Sequence, residues 1–561
     1  MTNKLLEQAQ QQHQQGKLEE ALESYQQVLK DDPNQPELLH LVGIIQAQLG
    51  NFSNSLQYLN YAIELQPEAA TFYNSKGNVL LRTDQLVEAT KAYHIAISLK
   101  PNYAVAYNNL GNSFYRQHKL NNAKKAYQKA IALEPDFANA HFNYGRLLTE
   151  EEDYDFAISE LKKAISLDEN HGPALGQLAH IYQHKNDFTK AIEYFKKRSK
   201  LQPHHVETHH DLGVALLKVK DWAQASEQLT YTIELDPQHP LANYHLATAC
   251  LQMGEHKKAL NHYLRQIEIE SHLESYYNIG VLLMYEERHR DAIDYLKKAL
   301  DLKPTYFDAH INIAAIYLKL GRTQEAIEHY QLALKLRPND PEILHILSAL
   351  EQKETPQTAP SEYVQHLFDQ YALYYDLHLT QHLDYQVPTQ IHRAIEIDTN
   401  ADHPEWKIVD LGCGTGLCGE LFKDMAKELI GIDISANMID IAKQKNIYDE
   451  VIVGNIQDVI DNFKDVDLII AADVLTYVGD LDSLFCKVNA SLKKGGHFTF
   501  TVEKTAEPSY ILQQNIRYAH NKSYLESLIK HYQFNKVRFD NITLRKQKGK
   551  PVEGFLVVLK K

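Results

Sequence analysis

The sequence predicts a two-part protein, in which a long all-α repeat array precedes an α/β domain built on a parallel sheet. Two observations support this prediction. A proline recurs every 34 residues through most of the first part of the chain, and a period of this length is typical of stacked helical hairpins. Beyond the array, short apolar runs alternate with amphipathic helices, which is typical of βαβ units. The predicted parts are the array over 1–352, a polar linker over 353–361 and the α/β domain over 362–561.

The repeat unit is predicted to be a pair of antiparallel helices. In one unit Tyr107, Gly111 and Phe114 share a helical face, and Ala123 and Tyr127 share a face of the next helix. The small residues let the two helices approach closely, and the recurring proline ends the second helix. These small, aromatic and proline positions resemble the tetratricopeptide repeat family, which implies ten repeats over about residues 2–338 and a capping helix over 341–353.

A polar column lies two positions before the recurring small residue. In the family that the repeats resemble, this position lines a concave groove, and a side-chain amide suits peptide backbone because it both donates and accepts. The resemblance therefore implies that a protein or peptide partner is held there. The alternative is that the column is only a solvated groove wall. The asparagines in question are Asn109, Asn143, Asn278 and Asn312.

Composition and charge exclude several classes of protein. The 58 Lys+Arg and 73 Asp+Glu give a net charge of −15, which argues against a nucleic-acid partner. No apolar run approaches a membrane span, and the N-terminus lacks a signal-peptide core, so we expect no membrane partner and a cytoplasmic location. His205 and His209 share a helix face, but no cysteine or carboxylate with ligand spacing joins them. We therefore predict no metal site and solvated histidines there.

The order of strands and helices in the second part follows from the apolar runs. The last strand follows closely on the sixth, which predicts a terminal hairpin at the sheet edge. The basic run 544–550 is predicted to be its solvated turn, and the alternative is a contact with an acidic substrate. Strands are predicted near 408–411, 429–433, 451–454, 467–472, 497–502, 536–539 and 554–559, and helices near 417–427, 436–445, 480–491 and 522–532.

A glycine loop follows the first predicted strand. Gly412, Gly414 and Gly416 form G-x-G-x-G at the entrance to the next helix, where glycine lets a ligand approach the backbone near helix N–H groups. The spacing differs from the G-x-G-x-x-G that is typical of nicotinamide dinucleotide sites. Asp433 ends the second strand, where a carboxylate can accept from both hydroxyls of a ribose.

These features, together with LKKGG before the fifth strand, resemble class I S-adenosylmethionine-dependent methyltransferases, and in this order bacterial methyltransferases with an N-terminal tetratricopeptide array. The resemblance covers about residues 363–561. It implies a Rossmann-like, seven-stranded α/β domain and S-adenosyl-L-methionine as cofactor. The family usually has an Asp where Asn455 stands, although the amide oxygen of Asn455 can still accept from the adenine amino group. The implied cofactor residues are Gly412, Gly414 and Gly416 with Asp410 behind them, Asp433 at the ribose, Ile434, Met438, Asn455 and Ile456 at the adenine, and Asp473 at the methionine end.

Methyl transfer requires in-line positioning, and it also requires a base if the nucleophile starts protonated. Tyr371 and Tyr375 lie in an aromatic segment before the first strand, and in similar methyltransferases such a helix closes over the cofactor. Tyr477 and Glu503 lie at the ends of the fourth and fifth strands, the side of an open sheet on which ligands bind.

The run Arg517, Tyr518, Ala519 and His520 precedes the sixth strand and matches the repeat-bearing methyltransferases. We hypothesise that His520 or Glu503 is the general base and that Arg517 orients the methyl acceptor. The alternative is that Arg517 and His520 only brace the lid.

Three functions fit the sequence. The leading hypothesis is a methyltransferase that acts on a protein or peptide recruited by the repeat groove, because capture raises the local concentration of acceptor at the active site. The second is a small-molecule methyltransferase whose repeats serve assembly. The third is a non-catalytic scaffold that binds the cofactor without turnover.

Overall fold

A computed structural model of the chain describes residues 2–372, 375–377, 379, 383, 385–399, 405–547 and 549–561. Contacts divide the chain into two compact units, Met1–Ser275 and Tyr276–Lys561. This division falls inside the repeat array, so the domain boundaries given above remain a prediction from the sequence.

The first unit consists of consecutive helices that pack in antiparallel pairs, each pair contacting the next. Helix α17, Leu273–Tyr285, crosses from the first unit into the second. The helices before it are α1 Thr2–Gln14, α2 Leu18–Asp31, α3 Pro36–Gln48, α4 Phe52–Leu65, α5 Ala70–Arg82, α6 Leu86–Leu99, α7 Ala104–Arg116, α8 Leu120–Leu133, α9 Ala138–Glu150, α10 Tyr154–Leu167, α11 Gly172–His184, α12 Phe188–Leu201, α13 Val206–Lys218, α14 Trp222–Leu235, α15 Ala242–Gln252 and α16 His256–Ile269.

The small residues of the repeat have the role that the sequence predicts. A Cβ atom on Gly111 would lie 2.5 Å from Cε1 of Tyr127, and one on Gly77 would lie 2.5 Å from Cε1 of Tyr93. The Tyr127 ring is fully buried, and its hydroxyl donates to Oδ1 of Asn112 over 2.8 Å. Tyrosine therefore fills the space that glycine leaves and also satisfies its own polar atom.

The second unit continues with the last repeat helices, α18 His289–Leu302, α19 Phe307–Lys319, α20 Thr323–Leu336 and α21 Pro341–Glu351. Helix α21 corresponds to the predicted capping helix. It begins with proline at its first turn, and Oδ1 of Asp340 accepts from the backbone N–H of Ile343. It ends at Gln352, whose φ of 54° lies in the left-handed region.

The α/β part of the second unit alternates strands and helices. Its helices are α22 Ser361–Tyr371, α23 Tyr375–Leu377, α24 Val387–Thr399, α25 Gly419–Phe422, α26 Ala436–Gln444, α27 Ile456–Val459, α28 Asp482–Ser491 and α29 Lys522–His531. Its strands are β1 Trp406–Leu411, β2 Ala426–Asp433, β3 Glu450–Val453, β4 Val466–Ala471, β5 Leu492–Lys504, β6 Tyr510–Leu512, β7 Tyr518–His520, β8 Asn535–Gln547 and β9 Lys550–Lys560.

The strands form one mixed sheet that is mostly parallel at its centre. Strands β3, β2, β1, β4 and β5 lie side by side and parallel, β9 pairs antiparallel with β5, and β8 pairs antiparallel with β9. Every residue of β4 is buried, which explains its continuous apolar run, since a central parallel strand is covered on both faces. This sheet confirms the predicted Rossmann-like fold and the terminal hairpin.

Two features differ from the predicted elements. Among the described residues the sheet has nine strands, because the short hairpin β6–β7 joins the carboxyl end of β5. Strands of three residues are too short to show an alternating pattern, so the sequence did not predict them. The helix expected over 417–427 is only α25 and a following 3-10 turn, since β2 already begins at Ala426.

No helix among the described residues has both the length and the apolar character that crossing a membrane requires.

Candidate functional site

A cavity of about 720 Å³ opens at the carboxyl ends of the parallel strands. Loops after β1, β2, β3 and β4 line one side, and residues from the segment before β1 line the other. This is the side of an open α/β sheet on which ligands bind. The lining residues are Thr358, Ala359, Ser361, Val364, Phe368, Tyr375, Gly412, Gly414, Asp433, Ile434, Asn455, Ile456, Gln457, Ala472, Asp473, Val474, Tyr477 and Val478.

The glycine loop is wound in a conformation that favours glycine. The φ angles of Gly412, Gly414 and Gly416 are 70°, 55° and 97°, all in the left-handed region. A Cβ atom on Gly412 would lie 2.4 Å from Cγ2 of Val474, and one on Gly414 would lie 3.5 Å from Cε1 of Tyr375. Gly412 and Gly414 therefore line the cavity with backbone alone. Gly416 belongs to the same loop but is not among the residues that line the cavity.

Asp433 presents a prearranged carboxylate at the cavity wall. Its Oδ2 accepts from the backbone N–H of Gly414 and its Oδ1 from that of Ser435, each over 2.9 Å. Burial raises the pKa of the Asp433 carboxyl to about 6, and these hydrogen bonds partly oppose the rise. Each oxygen keeps a lone pair for a further donor. The residue that ends β2 is therefore ready to accept from ligand hydroxyls.

Asp410 lies behind the loop, as the resemblance implies, and it is almost completely buried. The hydroxyl of Tyr448 donates to its Oδ2 over 2.7 Å, whereas its Oδ1 has no hydrogen-bond partner among the described residues. Burial raises the pKa of the Asp410 carboxyl to about 7. Tyr448 was not among the residues predicted from the sequence, and it also packs its ring against the positions of Gly419 and Gly431.

Of the residues expected at the adenine, Ile434, Asn455 and Ile456 lie in the cavity wall. Met438 is fully buried, and the described lining does not include it. Asn455 is held on both sides of its amide. Its Oδ1 accepts from the backbone N–H of Gln457 over 2.9 Å, and its Nδ2 donates to Oγ of Ser361 over 3.0 Å.

The aromatic segment before β1 covers the cavity. Phe368 and Tyr375 line it, and the ring of Phe368 meets those of Tyr375 and Tyr477 edge-on at 6.0 and 5.4 Å. The Tyr371 ring lies outside the described lining and contacts Tyr375 edge-on at 5.4 Å. Among the described residues, Phe368, Tyr371 and Tyr375 thus form a connected group of rings, of which Tyr375 lies next to Gly414.

Two aspartates fix this aromatic segment to the cofactor loops. Oδ1 of Asp369 accepts from Oγ of Ser435 at the start of α26 over 2.5 Å. Asp376 accepts from the hydroxyl of Thr415 in the glycine loop, and its Oδ2 pairs with Nζ of Lys445 at 2.9 Å. Asp376 directly follows Tyr375 in the chain, but nothing in the sequence indicates that it contacts Thr415 and Lys445.

A chain of opposite charges joins the ends of β4 and β5. Nη1 of Arg545 donates to both carboxylate oxygens of Asp473 over 2.8 Å, and its Nη2 donates to Oε1 of Glu503. Nη1 of Arg517 lies 3.8 Å from the same Glu503 oxygen. Asp473 lines the cavity at a φ of 58°, whereas Glu503 and Arg545 are each only 2% exposed. The charges balance within the site, as buried charges must.

The expectation that the basic run 544–550 is solvated is wrong for Arg545. Regular alternation along β8 would bury Leu544 and expose Arg545. The pairing with β9 shifts register between Thr543 and Arg545, and this irregularity lets both Leu544 and Arg545 be buried. A bulge is a property of the paired strands, which is why the sequence did not show this residue as part of the site.

The residues that were predicted to act on the methyl acceptor do not all lie at the cavity. Tyr477 lines the cavity, with the guanidinium carbon of Arg517 5.9 Å from its ring centre. His520 is fully buried, its Nε2 is 2.9 Å from the carbonyl oxygen of Gly479, and burial lowers its pKa to about 4. Tyr518 is also fully buried. Neither His520 nor Tyr518 belongs to the described lining, which favours the bracing alternative for His520.

Three of the four predicted groove asparagines, Asn109, Asn143 and Asn312, donate to neighbouring repeats. In the first unit Nδ2 of Asn109 donates to Asn74 over 3.0 Å, and Nδ2 of Asn143 donates to Asn108 over 2.9 Å. In the second unit Nδ2 of Asn312 donates to the hydroxyl of Tyr277 over 3.1 Å. Asn109, Asn278 and Asn312 are half-buried and Asn143 is buried. These side chains therefore link successive repeats. A partner in the groove would have to bind the amide atoms that these hydrogen bonds do not use.

The histidine run in the array is less solvated than the sequence predicts. Only His204 is exposed, and His205 caps α13 by accepting from the N–H of Thr208. His209 is buried, with Nε2 2.9 Å from the carbonyl of Pro203 and Nδ1 2.8 Å from Oε1 of Gln228. The structure, over the residues it describes, has no group of three or more His, Cys, Asp or Glu arranged to hold a metal ion.

Family models match both parts of the chain. A model described as a methyltransferase domain matches residues 409–500. Models described as tetratricopeptide or TPR repeats match residues 9–50, 42–104, 104–137, 126–158, 148–212, 210–271 and 283–350.

The curated relatives are similar over a limited length. The chain is 24% identical over 110 residues to the malonyl-[acyl-carrier protein] O-methyltransferase of Yersinia pestis, covering 20% of this chain and 40% of that protein. It is 31% identical over 104 residues to the ubiquinone biosynthesis O-methyltransferase of Mesorhizobium japonicum, covering 18% and 42%. The chain thus spans about two fifths of the length of these relatives.

Among solved structures, the chain is similar to YrrB, described as a TPR protein with an unusual peptide-binding site. The two are 25% identical, the match covers 33% of this chain and 96% of that one, and the TM-score is 0.29.

Proposed function

We propose, for a chain that combines tetratricopeptide repeats with a methyltransferase domain, that it is an S-adenosylmethionine-dependent methyltransferase whose repeat groove recruits a protein or peptide substrate. The observation that supports this most directly is the cavity bordered by Gly412, Gly414 and the prearranged carboxylate of Asp433. A glycine floor and a buried acceptor at the end of β2 suit a ligand with a ribose.

The residues present fit the cofactor. Asp433 would accept from the ribose hydroxyls, and Gly412 and Gly414 would lie beneath the ribose and methionine portion. Ile434 and Ile456 are apolar walls for the adenine, and Asn455, whose Oδ1 already accepts one N–H, has a second lone pair for the adenine amino group. Asp473 would border the methionine end.

When bound, S-adenosylmethionine supplies a methyl group that is already activated for attack. The chain itself then has to exclude water and orient the acceptor. Phe368, Tyr375 and Tyr477 place rings around the cavity, and Arg517 beside Tyr477 is the charged group that we assign to orienting the acceptor. Both curated relatives quoted above are named O-methyltransferases, which makes an oxygen nucleophile the first acceptor class to test.

For the general base we retain Glu503 over His520. Both side chains are buried and outside the described lining, with Nε2 of His520 engaged with Gly479 and Glu503 paired with Arg545 and Arg517. We choose Glu503 because its partner Arg517 contacts the ring of Tyr477, which lines the cavity. With an identified substrate, Glu503→Gln is expected to lower kcat about 100-fold, and His520→Gln to leave it within about threefold. Full turnover by Glu503→Gln would show that Glu503 is not the general base.

Calorimetry with S-adenosylhomocysteine tests the cofactor assignment. We expect saturable binding by the full chain and a loss of at least about 30-fold in affinity for Asp433→Ala, because two ribose hydrogen bonds to a charged acceptor disappear. Asp424→Ala, which removes an exposed carboxylate between α25 and β2, is the matched control. Absence of binding by the unchanged protein, or equal binding by Asp433→Ala, would contradict the assignment.

Recruitment by the groove is tested by labelled methyl transfer into a host lysate. Asn109→Ala with Asn143→Ala is expected to reduce labelling of the acceptor while S-adenosylhomocysteine affinity stays unchanged. If the labelled species is a small molecule and its labelling is unaffected by these changes, the protein is instead a small-molecule methyltransferase whose repeats serve assembly. If the protein binds the cofactor and labels nothing, it is a non-catalytic scaffold. We also expect a cytoplasmic location and no nucleic-acid partner, in keeping with the net charge of −15.

A further inference from the structure

The segment predicted to be a linker is held in place by backbone hydrogen bonds. Residues 352–361, which we name the strap, run from the end of α21 to the start of α22. The N–H of Ala359 donates to the carbonyl of Tyr477 over 3.0 Å. The N–H groups of Gly479 and Asp480 donate to the carbonyl of Gln357 over 2.9 and 2.7 Å. The strap is therefore docked on the loop that follows β4.

The strap is also a wall of the cofactor cavity. Thr358, Ala359 and Ser361 line it. Two contacts hold the side chain of Asn455. The backbone N–H of Gln457 can only donate and so fixes the amide oxygen there, and the NH₂ group on the other side donates to Oγ of Ser361. The strap thus reaches the residue that stands where the family has an adenine-binding aspartate.

The other end of the strap is anchored to the last repeat helix. Nε2 of Gln352 donates to the carbonyl of Leu512 in the β6–β7 hairpin over 2.9 Å. Ala349 of α21 is fully buried in one apolar cluster with Ala359, Tyr477 and Tyr518. His345, one turn earlier in α21, packs its ring between those of Tyr363 and Tyr518, with centres 5.3 and 5.9 Å away.

We propose that the strap makes the capping helix of the repeat array part of the cofactor-binding machinery, with Ser361 as the residue that positions Asn455 toward the adenine. This inference rests on the proposed function, in which the cavity binds S-adenosylmethionine. Because linkage is reciprocal, docking of α21 raises affinity for the cofactor, and the cofactor stabilises the docked helix. A chain shortened to begin at residue 353 would lose Gln352 and α21, which anchor the strap, as well as the groove of the repeat array.

Ser361 is tested by two ligands that differ at one edge of the purine, S-adenosylhomocysteine and S-inosylhomocysteine. The inosyl ligand has a carbonyl at C6 and a proton on N1, so it lacks the amino group that would donate to Asn455. The full chain should prefer the adenine ligand. Ser361→Ala should reduce this preference about fivefold, the value of one part-buried hydrogen bond, and Ser361→Thr should restore it. Ser98→Ala is the matched control, because the Ser98 hydroxyl is exposed and donates to the Ile95 carbonyl of its own helix, α6.

A general loss of stability would weaken both ligands equally and leave their ratio unchanged, and an unchanged ratio in Ser361→Ala overturns the positioning role. If the unchanged protein binds neither ligand, the proposed function fails instead.

The linkage is tested by hydrogen exchange with and without saturating S-adenosylhomocysteine. We expect slower exchange in the strap, in residues 479–480 and in α21, and no change in α1–α16. Gln352→Asn, which tolerates the left-handed backbone but shortens the side chain, should weaken binding about threefold and abolish the protection of α21. Gln128→Asn is the control, since Nε2 of Gln128 donates to the hydroxyl of Tyr144 within the first unit. Protection of the glycine loop without protection of the strap and α21 overturns the linkage, whereas protection nowhere overturns the proposed function.

Discussion

Glycine serves two physically different purposes in the two units. In the first unit Gly77 and Gly111 lie inside helices, and what excludes a larger residue is the tyrosine ring packed against each. In the second unit Gly412 and Gly414 adopt left-handed angles, and the space above them is reserved for a ligand. The first purpose is repeated along the array, and the second occurs at one loop. A substitution should therefore cost stability in the array and binding at the loop.

Gly412→Ala should have the largest effect, on binding. It forces an L-residue to a φ of 70° and places Cβ 2.4 Å from Cγ2 of Val474, so the loop must change shape. We expect at least about a 100-fold loss of affinity for S-adenosylhomocysteine, measured by calorimetry. Gly495→Ala is the control, because its φ is 84° but its nearest neighbour, Cε of Lys560, is 3.9 Å away. Similar affinity in the two variants would contradict the distinct role of the loop.

Asp410→Asn should raise stability in a pH-dependent way. Burial raises the pKa of Asp410 from the ordinary value to about 7, so ionisation is easier in the unfolded chain, and the wild-type protein loses stability as pH rises from about 4 to about 7. The amide cannot ionise and still accepts from Tyr448. The free energy of unfolding at pH 8 should increase by about 2–3 kcal/mol, with no gain at pH 4.

Denaturant titrations across this pH range measure the difference, and Asp424→Asn supplies the exposed reference. Parallel pH profiles for the wild type and Asp410→Asn would show that Asp410 is not the buried acid described above.

Gly111→Ala should reduce stability by about 1–2 kcal/mol and leave cofactor affinity unchanged. Its Cβ would lie 2.5 Å from the Tyr127 ring, which must shift. The loss is moderate because the chain already places alanine opposite tyrosine elsewhere, at Ala314 and Tyr330. Thermal unfolding and calorimetry on the same sample test both parts. If Gly111→Ala lowered the affinity for S-adenosylhomocysteine without lowering the melting temperature, the proposed difference between the array glycines and the loop glycines would be wrong.

The smallest effect is the pH dependence of cofactor binding. The Asp433 carboxylate must be ionised to accept from both ribose hydroxyls, and its pKa of about 6 means that protonation competes with binding in mildly acidic solution. Affinity for S-adenosylhomocysteine should fall about tenfold from pH 7 to pH 5. Asp433→Asn, although weaker at pH 7, should lose this slope, and a flat wild-type profile would exclude Asp433 as the titrating acceptor.

The sequence was informative wherever a structure repeats a local pattern. The spacing from Gly111 to Tyr127 recurs with the period of the array, and the apolar runs of β1 and β4 show buried parallel strands. Asp433 was predictable because it ends the second strand, and the carboxyl ends of the strands in such a sheet border the ligand site. Tyr448 and Arg545 were not, since Tyr448 meets Asp410 from 38 positions away and Arg545 is buried through an irregularity in strand pairing.

The sequence by itself determined the period of the array, the order of the central strands and the glycine loop with its acidic partner, because these depend on residues close together in the chain. The tertiary structure alone decided what closes the cavity. The strap has the polar, proline-containing composition of a linker, yet its backbone docks on the loop after β4, and its Ser361 accepts from the amide of Asn455. Backbone hydrogen bonds leave no mark in a sequence, since almost every residue carries the same N–H and C=O groups.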